Sequence, residues 1–282
     1  MENNDQRKTR VIKGDLRETK VLRAKKETIL DYRGQTIGDG IRIEKALEDE
    51  IEGVQSSGQS TLYAGKDAKG EKVVIKIYDR NSGPQTLAIL RKLQKIRHAS
   101  LLPILDCGMI GDVVYEVQPL CLGGTLADAC GRDGKGWPIK KLRLVVKVLA
   151  EGLQHLHQNH CWHKDVKPSN IFWMDKQQTS PVLADFGIAA IEEQRSRRTT
   201  VRMTHLYSAP ELVSSRKYEE ASDYFSAGIS LLEMACGRHP FENMSLEDVN
   251  RMICSEVIPV PEKFDQDFRN LVNGLLVKEV SR

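Results

Sequence analysis

His163-Lys164-Asp165-Val166-Lys167-Pro168-Ser169-Asn170, with Asp185-Phe186-Gly187 a short way downstream, is the stretch from which the rest of the chain can be read. Asp165 is a carboxylate able to accept a proton from an attacking hydroxyl, and Lys167 is a cation able to neutralise a phosphoryl group in transfer. Asn170 and Asp185 offer hard oxygen ligands of the kind that Mg²⁺ prefers. Phosphoryl transfer through a loose transition state asks mainly for positioning and charge neutralisation. A base, a cation and metal ligands in one short segment meet that requirement.

The surrounding composition is that of a soluble globular chain, with 40% hydrophobic and 29% charged residues in 282. A net charge of +3 is too mild to indicate nucleic acid as a partner. No apolar run approaches the roughly 18 residues of a membrane span, and the polar N-terminus lacks the apolar core of a secretion signal. The six cysteines, at 107, 121, 130, 161, 236 and 254, are scattered without a CxxC pair. Neither a disulfide framework nor a zinc site is expected, and a cytoplasmic location follows as the expectation.

Residues 1–36 are polar, charge-mixed and basic, and read as a flexible tail. From Ile41 the pattern turns to strands: 41–47, 61–65 and 72–78, with the turn Asp67-Ala-Lys-Gly70 between the last two. A helix is expected over about 85–97, then strands near 102–107 and 112–118. After Gly123-Gly124 the chain becomes helical. Lys140–His160 carries Leu142, Val145, Val146, Leu149, Leu153 and Leu156 on one stripe, and further helices are expected at 224–236, 246–254 and 268–277. Strands first and helices second imply an α+β protein of two lobes.

These residues resemble the eukaryotic-type serine/threonine protein kinase family over about 41–282. Val73-Val-Ile-Lys76 looks like its third-strand lysine motif and His163–Asn170 its catalytic loop, with Lys164 where Arg is usual. Asp185-Phe-Gly187 and Ala209-Pro-Glu211 bracket an activation segment, Asp223–Gly228 resembles a long buried helix, and Arg282 matches the partner of Glu211. The resemblance implies a bilobal kinase domain over 37–282, with an N-lobe at about 41–118, a hinge at 119–122 and a C-lobe over 123–282. The chain stops where the family usually has another helix.

Roles carry over position by position. The cofactors implied are ATP and Mg²⁺ or Mn²⁺, and the partner implied is a protein substrate. Lys76 would hold the α- and β-phosphates, Asp165 would orient the substrate hydroxyl with Lys167 beside it, and Asn170 and Asp185 would bind the metal. Leu62 and Val74 would pack on the adenine, Gln118 would be the gatekeeper, and Pro119 and Cys121 would face the base through backbone groups. Lys167 and Thr204 resemble the serine/threonine branch, and Ser196, Thr199 and Thr200 are candidate phosphosites, with a solvated loop as the plain alternative. Phosphorylated Thr9 or Thr19, each followed at the third position by Ile or Leu, resembles the ligand of forkhead-associated domains; an incidental basic tail is the alternative.

The N-lobe departs from the family. One register puts Gln55, Ser57 and Ser60 at the loop-glycine positions, another puts Glu48 and Glu50 there, and Gly53 and Gly58 lie nearby. The helix glutamate that normally holds the third-strand lysine falls on Ile89, and no carboxylate lies between Arg80 and Leu105. An active kinase, a pseudokinase that binds a partner, and a small-molecule kinase are therefore the readings left open.

Overall fold

The computed structural model describes residues 31–47, 60–80, 82–130, 135–186, 205–215 and 217–278. Outside them lie the tail threonines Thr9 and Thr19, the glycine-loop positions 48–58, Gly187, the phosphosites Ser196, Thr199 and Thr200, Thr204, and Arg282 as partner of Glu211. The compact unit that carries the fold begins at Gly34.

The first half is an antiparallel sheet of order β1-β2-β3-β4-β6-β5. Its strands are β1 Thr36–Ile37, β2 Ile41–Ala46, β3 Ser60–Lys66, β4 Lys72–Tyr78, β5 Asp106–Ile110 and β6 Val113–Pro119. The β3–β4 turn forms because Asp67 accepts from the amides of Lys69 at 2.9 Å and Glu71 at 2.8 Å, with Gly70 at φ +83°. Helix α1 (Pro84–Leu93) starts on a proline that costs it no hydrogen bond and ends with Arg91 and Lys92 at its negative pole. It stops earlier than the apolar spacing suggested, because its last turn tightens into i to i+3 bonds such as Ile96 N to Leu93 O, 3.0 Å.

The strand expected at 102–107 starts at Asp106 instead. Pro103 has no N–H to give a ladder, and the amide of Leu102 donates at 2.8 Å to Leu183 in the other lobe.

The second half holds α2 (Leu126–Ala129), α3 (Ile139–Gln158), α4 (Pro210–Ser215), α5 (Glu220–Cys236), α6 (Leu246–Cys254) and α7 (Gln266–Leu275). A hairpin of β7 (Ile171–Trp173) and β8 (Pro181–Leu183) lies among them. Helix α5 is buried along most of its length, and α3 and α7 pack on it, with Leu142, Leu153, Leu156, Phe268 and Val272 buried in the same core. It begins before the expected Tyr224, where Glu219 and Ser222 form a capping box. On α3, Leu142, Val145, Leu149, Leu153 and Leu156 are buried as expected, while Val148 is buried and Val146 only partly, so the stripe differs at one edge. One cluster of buried side chains joins Tyr78, Leu90, Leu93 and Val114 of the first half to residues of the second as far as Leu276.

Candidate active site

The β4–β6 register builds one wall of a cleft. Val74 stands opposite Gln118 and Lys76 opposite Glu116, and directly opposed residues share a sheet face. A cavity of about 310 Å³ is lined by Leu47, Leu62, Val74, Lys76, Leu102, Gln118, Pro119, Cys121, Phe172 and Asp185, among others. The lining side chains come from both lobes, with Lys76 and Gln118 from the sheet and Thr125, Asp128 and Asp185 from the second half.

That crossing is held at both ends. The amide of Leu120 donates to Lys72 O at 3.1 Å, and those of Leu122 and Gly123 donate to Met174 O and Trp173 O at 3.2 and 3.0 Å. The Cys121 amide donates to no backbone oxygen among the described residues and is left for the cleft. Burial pushes the Cys121 thiol up to about 12, so it lines the cleft as an apolar group.

The metal-ligand candidates are paired by the β7–β8 hairpin. Ile171 opposes Leu183, so Asn170 and Ala184 come next in register, and the amide of Ala184 donates to Asn170 O at 2.9 Å. Asp185 follows at φ +59°, a left-handed conformation uncommon for a side chain other than glycine. Its Oδ1 lies 3.6 Å from Lys76 Nζ.

Asp165 sits between donors. Lys167 Nζ lies 2.7 Å from Asp165 Oδ2, and Asn170 Nδ2 donates to the same oxygen and to Asp165 O, both at 2.7 Å. A carboxylate so held points one way.

The loop carrying these groups rests on Asp223 of α5, which is fully buried. Oδ2 accepts from His157 Nε2 at 2.8 Å and from the His163 amide at 2.9 Å. Oδ1 accepts from the Lys164 amide at 2.9 Å and from the Tyr218 hydroxyl. Burial alone would raise this carboxyl; the bonds from His157, Tyr218 and the His163 amide, with the neighbouring His163, outweigh burial and hold it below the usual range. His163 bonds to Ala184 O at 2.9 Å, and burial pushes its imidazole down, so it is a neutral brace. Trp162, just before it, is 42% exposed.

The donor set fits a nucleotide and its metal. Asn170 spends its amide nitrogen on Asp165, which leaves its oxygen as the ligand atom beside the Asp185 carboxylate. Among the described residues no group of three or more His, Cys, Asp or Glu side chains forms a metal cage. Mg²⁺ characteristically takes one or two protein oxygens and completes its shell with phosphates and water.

Residues 54–282 match the family described as protein kinase domain. The chain belongs to the protein kinase family. Kinases of this family use ATP with a divalent metal ion. The chain is 32% identical to human serine/threonine-protein kinase ULK3 over 228 residues, 78% of this chain and 48% of that protein. It is 30% identical to the rat ULK3 protein over 236 residues, 80% of this chain and 50% of that one. It is 32% identical to serine/threonine-protein kinase ATG1a of Arabidopsis thaliana over 184 residues, 64% of this chain and 28% of that protein. The chain thus spans about half the length of the ULK3 proteins. No helix among the described residues is long and apolar enough to cross a membrane.

Within this kinase fold the cleft brings together Lys76, Leu62, Val74, Pro119, Cys121 and Asp185, and the loop brings Asp165, Lys167 and Asn170 together. Sequence reading missed Leu47, Leu102 and Phe172 as lining residues, because only tertiary packing collects them. It also missed Glu116, whose one signal was a lone acid in the apolar run Val113-Val-Tyr-Glu-Val117.

Proposed function

We propose that this chain is a serine/threonine protein kinase that phosphorylates a protein Ser or Thr hydroxyl, its own included. The observation that carries the proposal is the posture of Asp165, held by Lys167 and Asn170 at 2.7 Å each. Bound ATP with its metal, Mg²⁺ being the ion the oxygen donors suit, supplies the phosphoryl group. Asp165 accepts the proton of the incoming hydroxyl, and Lys167 neutralises charge beside it. Asn170 and Asp185 would hold the metal, and Lys76 would hold phosphate oxygens. Leu62, Val74, Leu102 and Phe172 exclude water from the base, with the Pro119 carbonyl and Cys121 amide reading its edge. Lys167 and the similarity to serine/threonine-protein kinases support the serine/threonine assignment.

The test is transfer of label from radiolabelled ATP with Mg²⁺ or Mn²⁺, run with Asp165→Asn and Asp185→Ala alongside. Label dependent on both residues is expected. Label that survives both substitutions, or none from the unmodified chain, refutes the proposal, the second outcome in favour of a nucleotide-binding regulator.

A further inference from the structure

Helix α1 brings no carboxylate to Lys76, since residues 81–104 contain neither Asp nor Glu. The sheet does. Glu116 on β6 is the cross-strand partner of Lys76 on β4, on the same face and about 4.5–5.5 Å apart at Cβ for such pairs. It is 2% exposed, and its Oε1 has no hydrogen-bond partner among the described residues. Its strand neighbours Val114 and Val117 are buried hydrocarbons. A buried carboxylate with an unmet acceptor costs several kcal/mol, and a valine there would cost nothing.

We propose that Glu116 is the positioning residue for Lys76, orienting its ammonium in the nucleotide cleft from the neighbouring strand. The inference rests on the kinase reading for the identity of the ligand, a nucleoside triphosphate. Lys76 has a second carboxylate at 3.6 Å, Asp185 Oδ1. An ammonium carries three donors, so it can face carboxylates and still offer a donor to phosphate. Electrostatics agree with the geometry: burial pushes the Glu116 carboxyl up to about 7, Lys76 pulls it down, Asp185 pushes it up, and the Tyr78 hydroxyl pulls it down by a smaller amount.

The experiment compares the full chain with Glu116→Gln, which keeps shape and removes charge, and Glu116→Asp, which keeps charge. Mg-ATP affinity is measured with a fluorescent ATP analogue, KM for ATP and for a peptide acceptor by transfer assay, and Tm without nucleotide. Glu116→Gln is expected to raise the nucleotide Kd and the ATP KM roughly tenfold, the loss of about one charge-assisted contact. The acceptor KM and the Tm should hold, and Glu116→Asp should recover part of the affinity. In a Lys76→Met background, Glu116→Gln should change nucleotide Kd no further, because the pair acts as a unit.

Equal Kd in wild type and Glu116→Gln, or the same fractional loss with and without Lys76, overturns the inference. A fall in Tm parallel to the fall in affinity, unrelieved by Glu116→Asp, also overturns it. A chain that binds Mg-ATP but transfers nothing ends the kinase reading, and the Kd comparison still decides on Glu116. A wild-type chain that binds no Mg-ATP overturns both.

Discussion

Asp223→Asn tests the mounting of the catalytic loop most directly, because the change removes one charge and almost no volume. In the wild type each carboxylate oxygen accepts from one backbone amide and one side chain: His163 N and His157 Nε2 on Oδ2, Lys164 N and Tyr218 OH on Oδ1. An asparagine must put its NH₂ at one of those oxygens, and there it meets a backbone N–H that cannot turn round. One buried amide is stranded, at about 1–3 kcal/mol, and the bonds at the other oxygen lose their charge assistance, at about 1 kcal/mol or more between them. The sum, about 2–4 kcal/mol, is a large share of the roughly 5–15 kcal/mol that holds a protein folded. Lys164, at φ +67°, also loses the anchor that keeps it in a left-handed conformation.

Urea unfolding at pH 7 should therefore show the midpoint falling by about 1–2 M with the slope unchanged. The effect has a pH signature. The folded carboxyl lies below its unfolded value, so its contribution is complete above about pH 4 and is lost as pH falls through the folded pKa. The gap between wild type and variant should stay constant from pH 5 to 8 and narrow only below about pH 4. A midpoint shift under about 0.3 M, or a gap that closes near neutrality, would refute the reasoning that Asp223 is an ionised, fully satisfied anchor.

Three further outcomes are expected. Lys167→Ala, which removes the cation 2.7 Å from Asp165, should lower kcat by about a hundredfold or more and leave nucleotide Kd nearly unchanged in the fluorescent-ATP titration. With its thiol pushed up to about 12, Cys121 should resist iodoacetamide at pH 8 in the folded chain and label fully in urea, as read by peptide mass mapping. Leu90→Ala, at a fully buried position on α1, should cost about 2–5 kcal/mol by urea unfolding, yet change the Mg-ATP Kd of the folded chain less than about threefold.

Legibility in the sequence followed length and periodicity. Helix α6 appears at the expected bounds, 246–254, because an apolar stripe and the Ser245 cap coincide there. The β7–β8 hairpin was invisible: three-residue strands carry too little alternation, and Pro181 at the start of β8 argues against one. Yet that hairpin sets Asn170 beside Asp185, so the motif showed which residues matter without showing how they meet. Glu116 was hidden for a related reason. Its neighbours in sequence are apolar, and its significance lies in the residue across the ladder, which only register reveals.

Two buried carboxylates then show how the domain divides its work. Asp223 and Glu116 are both shut from water, but Asp223 collects four donors and is held ionised, whereas Glu116 has an oxygen without a donor and is pushed up to about 7. The first is a finished structural joint, insensitive to what binds in the cleft. The second is an unfinished one, and an unfinished joint in a packed interior is retained when something else completes it. A carboxylate on a helix approaches the lysine only when that helix is docked. Glu116 shares its sheet with Lys76, one strand away, so the pair is assembled by the β4–β6 ladder itself. Lysine placement in this kinase domain is thereby tied to the sheet and freed from α1, which is why a cavity under α1 should weaken the fold without loosening the nucleotide.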